Sequence, residues 1–297
     1  MNRRSIATLA PAKINLLLEL VGRRADGFHD IRSLACGVGL FDQLSIQRMP
    51  RNGVEFVCNN ETLATPDNLA WRAAARLRSM TPQPEPCQMV LEKKIPVGGG
   101  MGGGSSDAAS ALMLANEWDG LNLPDELLAV IGAELGSDVP LFFHLPSALV
   151  EGRGERVSPV DMPWKGWALL VATGLHVSTR TAYSAVRLDE IAAFAPTRVD
   201  DLLAARTARE IVPHLRNDLA PAVFRVEPRV REALDALNGL GLGAFHVTGA
   251  GSVLFQLFDE EEEAAQVSRR IARLGAFARI LIVSAPTGRQ RITHQEF

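Results

Sequence analysis

Pro96-Val97-Gly98-Gly99-Gly100-Met101-Gly102-Gly103-Gly104-Ser105-Ser106-Asp107 packs six glycines into the seven positions from Gly98 to Gly104. The preceding stretch, Met89 to Ile95, has the composition of a strand, and Asp107 to Trp118 that of a helix. Glycine adopts left-handed backbone angles and lets main-chain amides come close to a ligand. An ordered run of this kind costs conformational entropy, which argues for a task beyond connecting two elements. A helix that begins here presents unpaired N–H groups and the positive end of its dipole, and both suit an anion such as phosphate. The hydroxyls of Ser105 and Ser106 are placed to cap that helix or to contact phosphate or a metal.

Several phosphate loops are rich in glycine, and the flanks separate them. A P-loop requires Gly-Lys-Ser/Thr, and no lysine follows Gly104. Gly98, Gly100 and Gly103 satisfy GxGxxG, but a dinucleotide site also needs an early βαβ unit with an acidic residue closing the next strand. Here the helix runs into the turn Asp119 to Pro124 and a second helix to about Leu135. The catalytic and metal-binding motifs of protein kinases are missing.

Outward from the loop, strands and helices mix. Thr8 to Val21, Leu44 to Gln47, Val54 to Cys58, Leu141 to Leu145, Ala148 to Val160 (turning at Arg153-Gly154-Glu155), Trp167 to Thr173 and Arg279 to Ser284 read as strands. Ala244 to Phe258 reads as strand, glycine turn and strand. Helices are expected from Asn68 to Met80, over Ser178–Val186, Val199–Ala205 and Thr207–Leu215, from Pro228, and over Asp259–Leu274. In the first strand, Lys13 and Asn15 share one face of an otherwise apolar segment. Lys13 is either an edge lysine whose head reaches water or a cation aimed at a reacting oxygen; the glycine loop favours the second. Asp138 follows a helix end at Gly136, and Pro140 should hold Val139 extended.

At 297 residues the chain is long for a single core. A net charge of −3 with interspersed signs lacks the basic face that nucleic-acid binding requires. Cys36, Cys58 and Cys87 are odd in number and widely spaced, so they read as reduced thiols. Pro11, Lys13 and Asn15 interrupt the stretch after the basic Arg3-Arg4 start, so no secretory signal is expected. No run approaches the length needed to span a bilayer. The expectation is a cytoplasmic protein that engages neither membrane nor nucleic acid.

The glycine loop resembles the second motif of the GHMP kinase superfamily in its expanded form, PxGGGxGGGSSxAA, typical of the superfamily's diphosphocytidyl-methylerythritol kinases. Pro11-Ala12-Lys13-Ile14-Asn15-Leu16 resembles motif one, and Val247-Thr248-Gly249-Ala250-Gly251-Ser252 motif three. Leu135 to Pro140 is similar to the LGADVP segment and Arg24 to His29 to RxDGYH, with Phe28 where tyrosine is usual. Glu151 to Glu155 and Asn217-Asp218-Leu219 also match family segments, with no chemistry assigned. The resemblance spans Pro11 to about Val283.

The resemblance implies an α+β fold of two domains with a cleft between them. Residues 1–160 would form the ATP-binding domain, like ribosomal protein S5 domain 2, and 161–297 a ferredoxin-like, substrate-binding domain. It implies ATP and Mg²⁺ as cofactors, with the metal ligands unassigned. Pro96, Val97, Gly98, Gly99, Gly100, Met101, Gly102, Gly103, Gly104, Ser105 and Ser106 would bind ATP. Asp138 would be the catalytic base and Lys13 its cationic partner. Asn15, Phe28, His29, Tyr183, Thr248 and Gly249 would bind a diphosphocytidyl alcohol, with Phe28 and Tyr183 on either side of the cytosine and His29 hydrogen-bonded to it. The protein would be a monomer or weak homodimer. Two alternatives stand beside this reading: a mevalonate, homoserine or galactose type of kinase, and a nucleotide-binding regulator without catalysis. The second would lack Lys13 or Asp138, and both are present.

Overall fold

In a computed structural model, described for residues 5–49, 54–82, 84–187, 189 and 197–295, the elements follow one another in a mixed order. The Arg3-Arg4 start lies outside the described residues. Strands β1 (Ser5–Arg23), β2 (His29–Arg48) and β3 (Val54–Cys58) precede helix α1 (Leu69–Arg78), strand β4 (Cys87–Glu92), and helices α2 (Gly103–Trp118) and α3 (Asp125–Leu135). Next come β5 (Ser147–Gly152), β6 (Arg156–Pro159), β7 (Gly166–Ala172), α4 (Thr179–Ser184), α5 (Val199–Ala204) and α6 (Ala208–Ile211). The remainder is β8 (Arg216–Asn217), α7 (Ala220–Val226), α8 (Pro228–Asn238), β9 (His246–Val247), β10 (Val253–Phe258), α9 (Glu261–Ala272), β11 (Arg279–Ala285) and β12 (Thr293–Gln295).

Two sheets organise the chain. The larger has the order β12-β1-β2-β4-β3, with β5, β6 and β8 joined at its margins; the smaller is β11-β7-β10-β9. Strand β7 is apolar throughout because both faces are covered. Ala168, Leu170 and Ala172 pack toward Ile14, Leu16 and Cys36 of the larger sheet, while Leu169 and Val171 face Val223, Val230 and Ile271 on helices. That is the period-two alternation of a strand between two layers. Helices α1, α2 and α3 cover the other face of the larger sheet, with Leu77, Leu112 and Ile131 in that core. The three cysteines are buried and unpaired, and no helix among the described residues is long and apolar enough to cross a membrane.

Strand β1 has β2 along one side for nearly its whole length, with register shifts at Pro11/Ala12 and Asn15/Leu17. Its other side is met piecemeal: β12 pairs with Ser5–Ala7 and β8 runs parallel to Leu17–Leu18. Between these contacts the backbone of Lys13 and Asn15 is left to other partners, and those partners build the site.

Three local expectations fail. Leu141–Leu145 is not a strand: Pro140–Phe143 is a 3-10 turn with proline in its first turn. Val139 is helical at φ −63°, ψ −44°, despite the proline after it. Val139 is fully buried, and its side chain fills the space where a Cβ on Gly132 would stand, so packing overrides the local preference. Helix α2 begins at Gly103, so Ser105 and Ser106 lie within the first turn and do not cap it.

Candidate active site

The main-chain N–H of Lys13 donates to Met101 O at 3.0 Å, and that of Asn15 to Thr248 Oγ1 at 3.0 Å. The free edge of β1 thus receives the glycine loop at one residue and the second glycine turn two residues on. The alternation that takes these amides outward puts both side chains on one face. Lys13 Nζ donates to Asn15 Oδ1 at 2.6 Å and to Gly100 O at 2.7 Å. An ammonium has three donors, so one is left for a ligand. Asn15 Nδ2 donates to Ser33 Oγ at 2.8 Å, which fixes its amide orientation.

The glycine loop uses its freedom at alternate residues. Gly98, Gly100 and Gly102 have φ of +70°, +75° and +70°. A Cβ on Gly100 would stand 2.2 Å from Thr248 O, and one on Gly249 would stand 2.7 Å from Gly100 O. The two glycine turns touch backbone to backbone, which side chains there would prevent. Gly102 is the N-cap of α2 and supplies no side-chain hydrogen bond, so the first N–H groups of the helix lack a capping side chain. Such donors suit an anion. Gly103 differs: its Cβ direction is occupied by Ile95 at 3.1 Å and Lys93 Nζ at 3.2 Å.

These pieces line one cleft of about 440 Å³, with Lys13, Asn15, Pro96 to Ser105, Asp138, Tyr183 and Gly249 among its walls. Asp138 sits in the turn between α3 and the Pro140–Phe143 turn, exposed to the cleft. Burial holds the Lys13 ammonium below the ordinary lysine value, and the charge of Asp138 opposes that effect in part. Thr248 and Ser106 are fully buried, so neither is part of the cleft wall. Thr248 stands behind Asn15.

Phe28 and His29 lie at the β1–β2 turn, which Asp26 braces by accepting from Phe28 N at 3.1 Å. Neither is among the residues lining the cleft. Phe28 is 53% exposed, and the Arg153 guanidinium lies 5.5 Å from its ring centre. The His29 ring is tilted 34° to Tyr183 with centroids 5.8 Å apart, so the two reach the same corner. Burial, then the charge of Arg23, holds the His29 imidazole below its ordinary value, leaving it neutral at pH 7.

Sequence reading missed Lys93. Its ammonium bridges Asp42 Oδ2 and Asp107 Oδ2, the latter at 2.6 Å, and it lines the cleft beneath Gly103. Asp42 also accepts from Lys94 N and Ile95 N, the latter at 2.8 Å, so it pins the entry to the glycine loop. A single aspartate in the otherwise uncharged residues 34–46 of β2 was the available signal. In this cluster Lys93 pairs with the carboxylate that Asp107 carries in the first turns of α2. Burial, aided by Asp42, raises the Asp107 carboxyl above its ordinary value, and the Lys93 ammonium opposes that shift.

A model of the GHMP kinases N terminal domain matches residues 68–144, and one of the GHMP kinases C terminal region matches 201–276. The 4-diphosphocytidyl-2-C-methyl-D-erythritol kinase of Citrifermentans bemidjiense is 37% identical over 273 residues, covering 91% of this chain and 95% of that protein. The protein of the same name from Neisseria meningitidis serogroup B is 34% identical over 267 residues, covering 89% and 90%. A crystal structure of 4-(cytidine 5'-diphospho)-2C-methyl-D-erythritol kinase superposes with a TM-score of 0.80 at 30% identity, covering 95% of this chain and 100% of that one. Homoserine kinase from Cytophaga hutchinsonii shares the fold, with a TM-score of 0.73 at 17% identity over 99% and 98% of the two chains.

Proposed function

Because the chain belongs to the GHMP kinases, and within them to the 4-diphosphocytidyl-2-C-methyl-D-erythritol kinases, we propose that it phosphorylates the 2-hydroxyl of 4-diphosphocytidyl-2-C-methyl-D-erythritol with ATP, in non-mevalonate isoprenoid synthesis. The observation that carries the reading is the convergence of Lys13, Asp138 and the uncapped start of α2 on one cleft. The most direct test is ADP release with the diphosphocytidyl alcohol beside mevalonate, homoserine and galactose. Turnover of one of the other three in preference to the cytidyl substrate would overturn the assignment.

Phosphoryl transfer is mostly positioning and electrostatic stabilisation. The loop amides and the first N–H groups of α2 hold the triphosphate. The substrate hydroxyl gives its proton to Asp138 as its oxygen bonds to the γ-phosphorus, and the bond to the β–γ bridging oxygen breaks to release ADP. The free donor of Lys13 lies where negative charge develops on the transferred group. Mg²⁺ prefers oxygen ligands, keeps several waters and is held largely by the phosphates themselves. Among the described residues no cluster of three or more His, Cys, Asp or Glu could hold a metal ion by itself. Asp107 Oδ1 is buried without a hydrogen-bond partner and is the protein oxygen that fits such an ion. Asp107 would hold Mg²⁺ there, and the ion would supply positive charge against the triphosphate. The division into domains at residue 160 is proposed on the same footing; its support is that the two family models fall on either side of it.

Lys13 makes a pH test available. Its ammonium form is the working one, and its pKa lies below 10.5 because burial outweighs Asp138. Activity is therefore lost as pH rises through that lowered value. The alkaline limb of kcat/KM should fall below the ordinary lysine range and leave the measurable window in Lys13→Arg. Stability follows the opposite sign: between the lowered value and 10.5 the unfolded chain binds more protons, so Lys13 makes stability rise with pH there. A limb at or above 10.5, or one unmoved in Lys13→Arg, would remove Lys13 from this role.

Tyr183 bears the test of substrate choice, since it reaches the cleft and His29 together. Stacking on a base is worth about 1–3 kcal/mol by alanine substitution, so Tyr183→Ala should raise KM for the cytidyl substrate roughly 5- to 150-fold. KM for ATP should barely move. The uridine analogue should bind wild type more weakly, with a smaller difference in His29→Ala. An unchanged KM in Tyr183→Ala would take the cytosine away from this corner.

A further inference from the structure

Asn217-Asp218-Leu219 has no role in the chemistry above, yet the side chains of Arg216, Asn217 and Asp218 are all hydrogen-bonded. Arg216 Nη1 donates to Glu19 at 3.1 Å and Nε to Asp218 Oδ1 at 2.6 Å. Asp218 N donates to Leu18 O at 2.8 Å, and Asp218 Oδ2 accepts from Leu20 N at 3.0 Å. The segment is thereby tied to β1 a few residues beyond Lys13 and Asn15. Asn217 turns the other way. Its Nδ2 donates to Val247 O at 2.9 Å and to Gly249 O at 2.8 Å, while Oδ1 accepts from Leu219 N at 3.0 Å. Every hydrogen-bonding group of the carboxamide has a use, so its orientation is fixed.

The turn it grips is the one that closes on the reacting groups. The Cβ direction of Gly249 points between Gly100 O, Asn15 Oδ1 and Lys13 Nζ, at 2.7, 3.1 and 3.1 Å. Thr248 of the same turn accepts from Asn15 N. One side chain therefore connects a segment paired with β1 to a turn whose distance from β1 sets how tightly Lys13 is enclosed. We propose that Asn217 is a positioning residue for phosphoryl transfer: its carboxamide holds the Val247–Gly249 turn at the spacing at which Lys13, Asn15 and the glycine loop close together. The proposal rests on the reading of Lys13 given above.

The test compares Asn217→Ala, which removes both donors, with Asn217→Asp, which keeps the acceptor for Leu219 N but sets an oxygen against two carbonyl oxygens. Misplacement by about an ångström costs on the order of 10²-fold in rate, so kcat should fall by about that factor in both folded variants. KM for ATP should change by less than about 3-fold, the pattern of a loss felt in the transition state. A turn that only stiffened the fold would leave the alkaline limb of kcat/KM in place. Withdrawal of this turn instead lets water reach Lys13, and the limb in Asn217→Ala moves to higher pH. The charged group facing Lys13 is Asp138, untouched by the substitution, and burial keeps Tyr183 neutral across the range. Folded variants with kcat within about 3-fold of wild type and an unmoved limb overturn the proposal. So does failure of both variants to fold, which would make Asn217 structural. A wild type that phosphorylates none of the four alcohols refutes the functional reading itself and is seen before any variant is made.

Discussion

Asp138→Asn is expected to lower kcat by roughly 10²- to 10⁴-fold, the range for a positioned general base. The substitution keeps size and shape but leaves an amide that cannot take the hydroxyl proton. Asp138 is exposed in a turn, so the change should leave folding nearly intact. Because Asp138 is the group that raises the Lys13 pKa against burial, its removal also lowers the Lys13 value further. The residual activity of Asp138→Asn should therefore lose its alkaline arm at lower pH than wild type. ATP binding, measured by calorimetry, should be within about 3-fold of wild type because uniform binding is not what this residue supplies. Activity within a few-fold of wild type would take Asp138 out of the mechanism.

What the sequence made legible and what it did not divide along the range of the interactions. The glycine loop was readable because glycine density reports a local backbone demand, met at Gly98, Gly100 and Gly102. Strand β1 and the sharing of one face by Lys13 and Asn15 followed from period-two alternation, and the 2.6 Å bond between them bears that out. The short strands β8 and β12 left no pattern, because two or three residues carry no periodicity and their partner lies about 200 or more positions away on β1. The 3-10 turn at Pro140–Phe143 was hidden for a related reason: an apolar run of four reads as strand unless the packing of Val139 is known. Lys93 was hidden by its charge, since a lysine among lysines near a loop looks like solvated surface until Asp42 and Asp107 are seen around it. The roles within Ser105-Ser106 shifted because the boundary of α2 moved by one turn.

Gly100→Ala and Gly249→Ala should each be severe, and the two should not add. At Gly100 the added carbon meets a carbonyl at 2.2 Å with φ at +75°, and at Gly249 it meets one at 2.7 Å with φ at +54°. Left-handed backbone alone costs a non-glycine residue about 1–2 kcal/mol. The collision is with backbone in both cases, so rotation of a side chain does not relieve it. Relief comes from parting the two turns, which draws Gly100 O away from Lys13 Nζ and opens the face that Asn15 shares with Thr248. Each single variant should then lose on the order of 10²-fold in kcat/KM, as misplacement at a reacting centre does. Once the turns have parted, the second methyl finds the space already open. The double variant should fall short of the product of the singles by a coupling of about 0.5–3 kcal/mol. Steady-state kinetics on the three variants, with melting temperatures to compare their folds, measures this directly. Additive losses would mean that the two glycine turns reach the reaction separately, and near-wild-type activity in either single variant would mean that their contact is not what holds Lys13 in place.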